Sequence, residues 1–143
     1  MNDIPSTPGK TVELTLDARP QNLALIRLAL AGVAGNAGAS REIVSDLKLA
    51  VTEACTNVIQ HAYGGDAGTG EIVVRYTVER GMVAVEVEDT GSGFELDVPQ
   101  AASDRNGGGN GLMIIRVLTD ELSVSSVGSG TRLAFVKRFS PEG

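Results

Sequence analysis

In 143 residues the chain has one cysteine, one histidine, no tryptophan, two tyrosines and three phenylalanines. Each scarcity excludes something. A lone Cys55 rules out an internal disulfide, and a single His61 without cysteine partners rules out a zinc cage. Twelve Lys and Arg against eighteen Asp and Glu give a net charge of -6. With so few aromatics, the chain lacks the basic, base-stacking footprint that direct nucleic-acid binding requires. No apolar run approaches the ~18 residues of a membrane span, and no basic-then-apolar leader opens the chain. A soluble, cytoplasmic protein without membrane or nucleic-acid contacts is expected.

What is present is ordinary globular material: 42% hydrophobic and 21% charged residues, enough for one core. A single domain is expected over residues 10–139, between a loose N-terminus (1–9) and a short tail (140–143). Val12, Leu14 and Leu16 alternate with polar residues as a short strand. Pro20 starts a helix whose apolar positions Leu23, Ile26, Leu30 and Val33 run to Gly35. That helix is more apolar than one core face needs, which fits either a protein-contact surface or a helix packed on two sides.

A long amphipathic helix follows from Ser40 to Tyr63, its core face made by Ile43, Leu47, Ala50, Val51, Ala54, Cys55, Val58 and Ala62. Cys55 lies on that face and reads as a small packed hydrophobe. A hairpin comes next, Glu71 to Glu79 and Met82 to Asp89, turning at Arg80-Gly81. Phe94 to Asn106, with Pro99, shows no period and reads as a loop or lid. Glycines then open a helix reaching about Thr119, and strands Glu121 to Val127 and Thr131 to Phe139 close the chain.

Three separated pieces carry chemistry. Glu53, Asn57 and His61 stand about 40° apart in succession on the long helix, lining a carboxylate, an amide and an imidazole along one edge. Any solvated helix face shows the same spacing. The second piece is Asp89-x-Gly91-x-Gly93 at a strand end, where a carboxylate can accept from an exocyclic amine such as that of adenine and glycines let a ring approach. Alone it is an ordinary turn. The third is the run Gly107-Gly108-Gly109-Asn110-Gly111 before Leu112, whose backbone N–H groups at a helix start suit phosphates. Alone it is a linker. Neither glycine pair completes a dinucleotide fingerprint, because Leu96 and Ile114 stand where the last glycine belongs. Phosphates on an acidic protein call for a counter-charge, and the Asn57 amide oxygen is a hard ligand suited to Mg²⁺.

The joint order Glu53-Ala-Cys-Thr-Asn57-Val-Ile-Gln-His61-Ala-Tyr63, Asp89-Thr-Gly91-Ser-Gly93, Gly109-Asn-Gly111 and Gly128-Ser-Gly130-Thr131 resembles the Bergerat-fold (GHKL) ATPases, among them gyrase, MutL and histidine kinases. The Asn-x-x-x-His-Ala-Tyr helix end and the compact length resemble the anti-sigma-factor serine kinases of the RsbW and SpoIIAB type. The resemblance spans roughly residues 10 to 138. It implies a two-layer α/β sandwich, helices on one face of a mixed, mostly antiparallel sheet, with ATP between Glu53-Asn57 and the lid.

Carried over by position, the resemblance implies Asn57 as the Mg²⁺ ligand, Glu53 as the catalytic acid/base, Asp89 as the adenine anchor and Gly91 and Gly93 as walls of the base pocket. Gly107, Gly108, Gly109, Asn110, Gly111 and Leu112 would form the phosphate-binding turn, with N–H groups from Gly109 and Gly111, and Thr131 would stand beside Asp89. Arg105 is either a contact to the terminal phosphate or a solvated lid charge. Arg27 is either the partner-contacting arginine or an ordinary surface one. His61, near a helix C-terminus, is read as structural. The chain departs from the family in its short lid with Pro99 and in Asn110, where a larger apolar residue is common.

The resemblance further implies a serine/threonine protein kinase that phosphorylates a STAS-type anti-anti-sigma factor, sequesters a sigma factor and forms a homodimer through the first helix. Two rivals stand beside it: an ATP-binding partner switch without phosphotransfer, and an ATP-hydrolysing clamp, which the missing transducer domain disfavours.

Overall fold

A computed structural model describes residues 9–63, 70–89, 108–127 and 130–142. Strand β1 spans Lys10–Asp17, and a 3-10 turn over Pro20–Asn22 leads into α1, Leu23–Asn36. Helix α2 covers Arg41–Tyr63, strands β2 and β3 cover Glu71–Glu79 and Met82–Asp89, and α3 covers Gly108–Leu118. Strands β4, Glu121–Val127, and β5, Gly130–Arg138, complete the order. The expected elements are all present, with ends moved by a few residues. The largest change is at Pro20, which opens a tight 3-10 turn instead of the helix itself.

The five strands form one sheet in the order β1-β2-β3-β5-β4, and its four ladders are all antiparallel. No parallel pair occurs among the described strands, in keeping with the mostly antiparallel sheet that the resemblance implies. Alternation along the strands decides which face is covered. Ile72, Val74, Tyr76, Val83, Val85, Val87, Leu133 and Phe135 are buried on one side. The other side carries Glu13, Arg75, Glu86, Glu88 and Arg132, where Arg75 bridges Glu13 (2.7 Å), Glu86 (3.3 Å) and Glu88 (2.9 Å).

Helix α2 is the middle of the helical layer, in contact with α1, α3, β3 and β5. Its start is set by Ser40, whose Oγ accepts the Ile43 N–H at 3.1 Å and satisfies a first-turn donor. Leu47, Val51, Ala54, Cys55 and Val58 on its inner face are buried, each large aliphatic among them contributing about 1.5–3 kcal/mol by leaving water. Helix α1 is pinned to the sheet by Tyr76, whose hydroxyl donates to the Ile26 carbonyl at 2.7 Å. Burial pushes the Tyr76 phenol upward, the nearby Cys55 adding to it. Only Ile26, Leu30 and Ala34 of α1 are fully buried, while Leu25 and Leu28 are 52% and 70% exposed. The helix is therefore packed on one side, and its outer apolar surface is open.

Two glycine turns fix how the layers are aligned end to end. Gly81, at φ +83°, turns the β2–β3 hairpin and donates its N–H to the Ala37 carbonyl at 2.9 Å. Gly38, at φ +87°, turns α1 into α2, and a Cβ there would fall 2.7 Å from the Cβ of Pro141. The Glu142 N–H reaches the Gly38 carbonyl at 2.7 Å, so residues 140–142 return onto this end. Tied at that end, α2 and β3 both run away from it, and the second half of α2 and the end of β3 share the opposite end.

Candidate nucleotide-binding and active site

Asp89 is the last residue of β3 and, among the described residues, the only buried charged side chain, at 3% exposure. Alternation predicts its inward orientation, because it follows Val83, Val85 and Val87 on the same face. Its Oδ2 accepts the backbone N–H of Thr131 at 2.8 Å, across from the neighbouring strand β5. A carboxylate taken out of water needs such donors. Gly130 makes the approach possible: a Cβ there would lie 2.7 Å from both the backbone oxygen and Oδ1 of Asp89. The sequence reading places Gly130 in the Gly128-Ser-Gly130-Thr131 motif without giving it a role of its own. The Gly-Thr pair after a strand was the available signal, but the partner strand is 42 positions away.

Glu53 and Asn57 lie on α2 one turn apart, both half-buried. Helix α3 runs back from this end: its last residues lead to Asp120, whose N–H bonds the Val136 carbonyl at 2.8 Å near the far end of β5. The glycine-opened start of α3 therefore arrives at the same end as Asp89 and the second half of α2. Gly111, buried in its first turn, faces Glu53 so closely that a Cβ would stand 2.9 Å from Glu53 Oε1. Gly108, Gly109 and Asn110 fall in the same first turn and Leu112 follows, half-buried. The fold thus brings Glu53, Asn57, the start of α3, Asp89 and Thr131 to one end of the sandwich.

Arg27 sits elsewhere on the helical layer. Its Nη1 donates to Thr52 Oγ1 at 3.3 Å, and the Thr52 hydroxyl donates to the Lys48 carbonyl at 2.8 Å. This links α1 to the residue directly before Glu53, a contact the sequence reading missed because Thr52 lies outside the polar stripe. Cys55 is fully buried between the two polar positions, and burial pushes its thiol up to about 12; it is a packed side chain and no nucleophile. The expectations for Gly91, Gly93, Arg105, Gly107 and the lid over 94–106 lie outside the described residues, as do the side chains of His61 and Asn110. Among the described residues no three His, Cys, Asp or Glu side chains converge to hold a metal, and no helix is long and apolar enough to cross a membrane.

An antiparallel sheet covered on one face by helices, with a buried acid ending an inner strand and a glycine-opened helix closing on the central one, has the architecture of the ATP-binding α/β sandwiches. The chain belongs to one family of these, the histidine kinase-like ATPase domain, whose model matches residues 16–137. It is similar to the serine-protein kinase RsbW of Bacillus subtilis, 36% identical over 92% of this chain and 87% of that protein. The serine-protein kinase RsbW of Listeria monocytogenes is 38% identical over 83% of this chain and 82% of its own length. Among solved structures, the RsbU and RsbW domains of a Mycobacterium tuberculosis protein share the fold, with a TM-score of 0.66 at 22% identity over 94% of this chain and 34% of that one. The histidine kinase domain of a blue-light activated kinase from Erythrobacter litoralis matches at a TM-score of 0.53, 26% identical over 86% of this chain and 61% of that one.

Proposed function

We propose that the chain is a cytoplasmic serine/threonine protein kinase and anti-sigma factor, which transfers the γ-phosphate of ATP to a STAS-type anti-anti-sigma factor and otherwise sequesters a sigma factor. The observation that carries it is the meeting of Glu53, one turn before Asn57, with the glycine-opened start of α3, at the end where Asp89 closes β3, in a chain whose relatives are serine-protein kinases. Asp89 would accept from the adenine amine, with Thr131 fixing its carboxylate. The backbone N–H groups at the start of α3, including those of Gly109 and Gly111, would hold the phosphates; Gly91 and Gly93 would wall the base pocket, and Arg105 would meet the terminal phosphate or else be a solvated lid charge.

The donors present fit Mg²⁺ bound as its nucleotide complex. Mg²⁺ characteristically takes one or two protein oxygens and fills its remaining positions from phosphates and water, and Asn57 offers one such oxygen. When bound, the ion neutralises charge on the transferred phosphoryl group. The chain's own part is proton handling and placement. The Glu53 carboxylate takes the proton of the incoming hydroxyl as the bond from that oxygen to the γ-phosphorus forms and the bond to the bridging oxygen breaks, ADP leaving with the electron pair.

The outer surface of α1 supports the partner reading. Arg27 is the one charge on that helix, and the exposed Leu25 and Leu28, about 60° apart on its outer side, offer an apolar face for a partner or for a second copy of the chain. The kinase reading is tested by mixing radiolabelled ATP, Mg²⁺ and candidate STAS proteins with wild type or Glu53→Ala. Label on the partner with wild type and its loss with Glu53→Ala are expected. Absence of labelled partner across all candidate antagonists would sink phosphotransfer while leaving ATP binding intact.

A further inference from the structure

Gly111 lies in the first turn of α3 without a backbone reason to be glycine. Its φ is not positive, the positive values among the described glycines being those of Gly38 and Gly81. In a helix, glycine is about 1 kcal/mol less favourable than alanine. The surroundings supply the missing reason. Beyond its chain neighbours and the backbone of α3 itself, the three heavy atoms nearest to a Cβ at 111 all belong to Glu53: Oε1 at 2.9 Å, Cβ at 3.9 Å and Cδ at 4.0 Å. The space a side chain would take is filled by one carboxylate.

We propose that Gly111 is a positioning residue for Glu53. By lacking a side chain it lets α3 close on α2 with the Glu53 carboxylate lodged against its first turn, which fixes where that carboxylate points. The inference rests on the proposed function for its catalytic consequence, since it is as proton acceptor that Glu53 must be aimed. It differs from a phosphate-cradling role, which needs only the backbone N–H of residue 111 and is kept by alanine. The conflict in Gly111→Ala is with the far end of a flexible side chain, so Glu53 turns away while the backbone stays.

The test uses the full chain as wild type, Gly111→Ala, Glu53→Ala and the double variant. In nucleotide-free protein, the side-chain carboxyl carbon resonance of Glu53, assigned by its loss in Glu53→Gln, is expected to move in Gly111→Ala. In phosphotransfer, kcat is expected to fall about 10- to 100-fold, the scale of a misplacement near 1 Å, with KM for ATP changed less than about threefold. Adding Gly111→Ala to Glu53→Ala is expected to cost nothing further. An unmoved Glu53 resonance, a loss of ATP affinity in step with kcat, or an undiminished effect in the Glu53→Ala background would overturn the proposal. So would a Gly111→Ala protein that does not fold. If wild type transfers no phosphate, the kinase reading fails by itself and the resonance still decides whether Gly111 aims Glu53.

Discussion

The backbone N–H of Thr131 donates to Oδ2 of Asp89 across 2.8 Å, tying the end of β3 to the start of β5 at the buried acid. In Asp89→Asn the side chain keeps an oxygen for Thr131 but loses the charged acceptor offered to an adenine amine. A hydrogen bond to a charged group is worth about 1.5–3 kcal/mol, so ATP affinity is expected to drop by roughly 10- to 150-fold. Calorimetric titration of wild type and variant reads this directly, and equal affinities would remove Asp89 from the base pocket.

Gly130 and Gly35 make opposite expectations for the same substitution. A Cβ at 130 meets the backbone oxygen of Asp89 at 2.7 Å, an atom that cannot rotate away. Gly130→Ala is therefore expected to destabilise by about 1–3 kcal/mol, the usual cost of overpacking, and to weaken ATP binding with it. Gly35 lies exposed on α1 with nothing within 4 Å of a Cβ. Gly35→Ala is expected to stabilise by about 0.4–1 kcal/mol through helix propensity and a less flexible unfolded chain. Thermal melts of the two variants should move in opposite directions.

Much of this architecture was legible in sequence because its signals are periodic. Period two along Ile72, Val74, Tyr76 and Val78 and along Val83, Val85 and Val87 assigned both the hairpin and its covered face, and the 3.6-residue repeat from Ile43 to Ala62 assigned α2. Pairings between distant strands carry no such local mark. Thr131 is expected beside Asp89 only through the family resemblance, since nothing in the residues around Asp89 marks Gly130 or Thr131 as its contacts, and α2 does not reveal that Gly111 will face Glu53. The start of α1 differs from expectation for another reason: proline suits a first helical turn and a 3-10 turn equally, and the side chain of Asn22, bonded to the Asp17 carbonyl at 2.8 Å, holds the tighter one.

The exposed face of α1 separates stability from association. Leu28 is 70% exposed and Leu25 52%, so Leu25→Glu with Leu28→Glu is expected to change folding stability by no more than about 0.5 kcal/mol per site. If this face binds the antagonist, the doubly substituted protein should lose affinity for the STAS protein by at least about tenfold, the scale of one or two buried leucines. Sedimentation of the same variant addresses the dimer: wild type dimeric and variant monomeric is the expected pair. An unchanged dimer would place self-association on another surface.

Burial of Cys55 makes stability fall with alkali in a defined window. The native thiol is pushed from 9.0 to about 12, so between these values the unfolded chain ionises while the folded one stays protonated. The native state then binds more protons, and stability declines as pH rises above 9, by up to about 1.4 kcal/mol per pH unit. Tyr76, also raised by burial, adds a loss of the same sign at higher pH, so the cleanest window lies just above pH 9. Urea midpoints measured from pH 8 upward should be flat at first and then fall. In Cys55→Ala the onset of that fall should shift towards the ionisation of tyrosine, although the variant starts from a lower stability because it leaves a small cavity. An identical pH profile in both proteins would mean that Cys55 is not the group that titrates on unfolding.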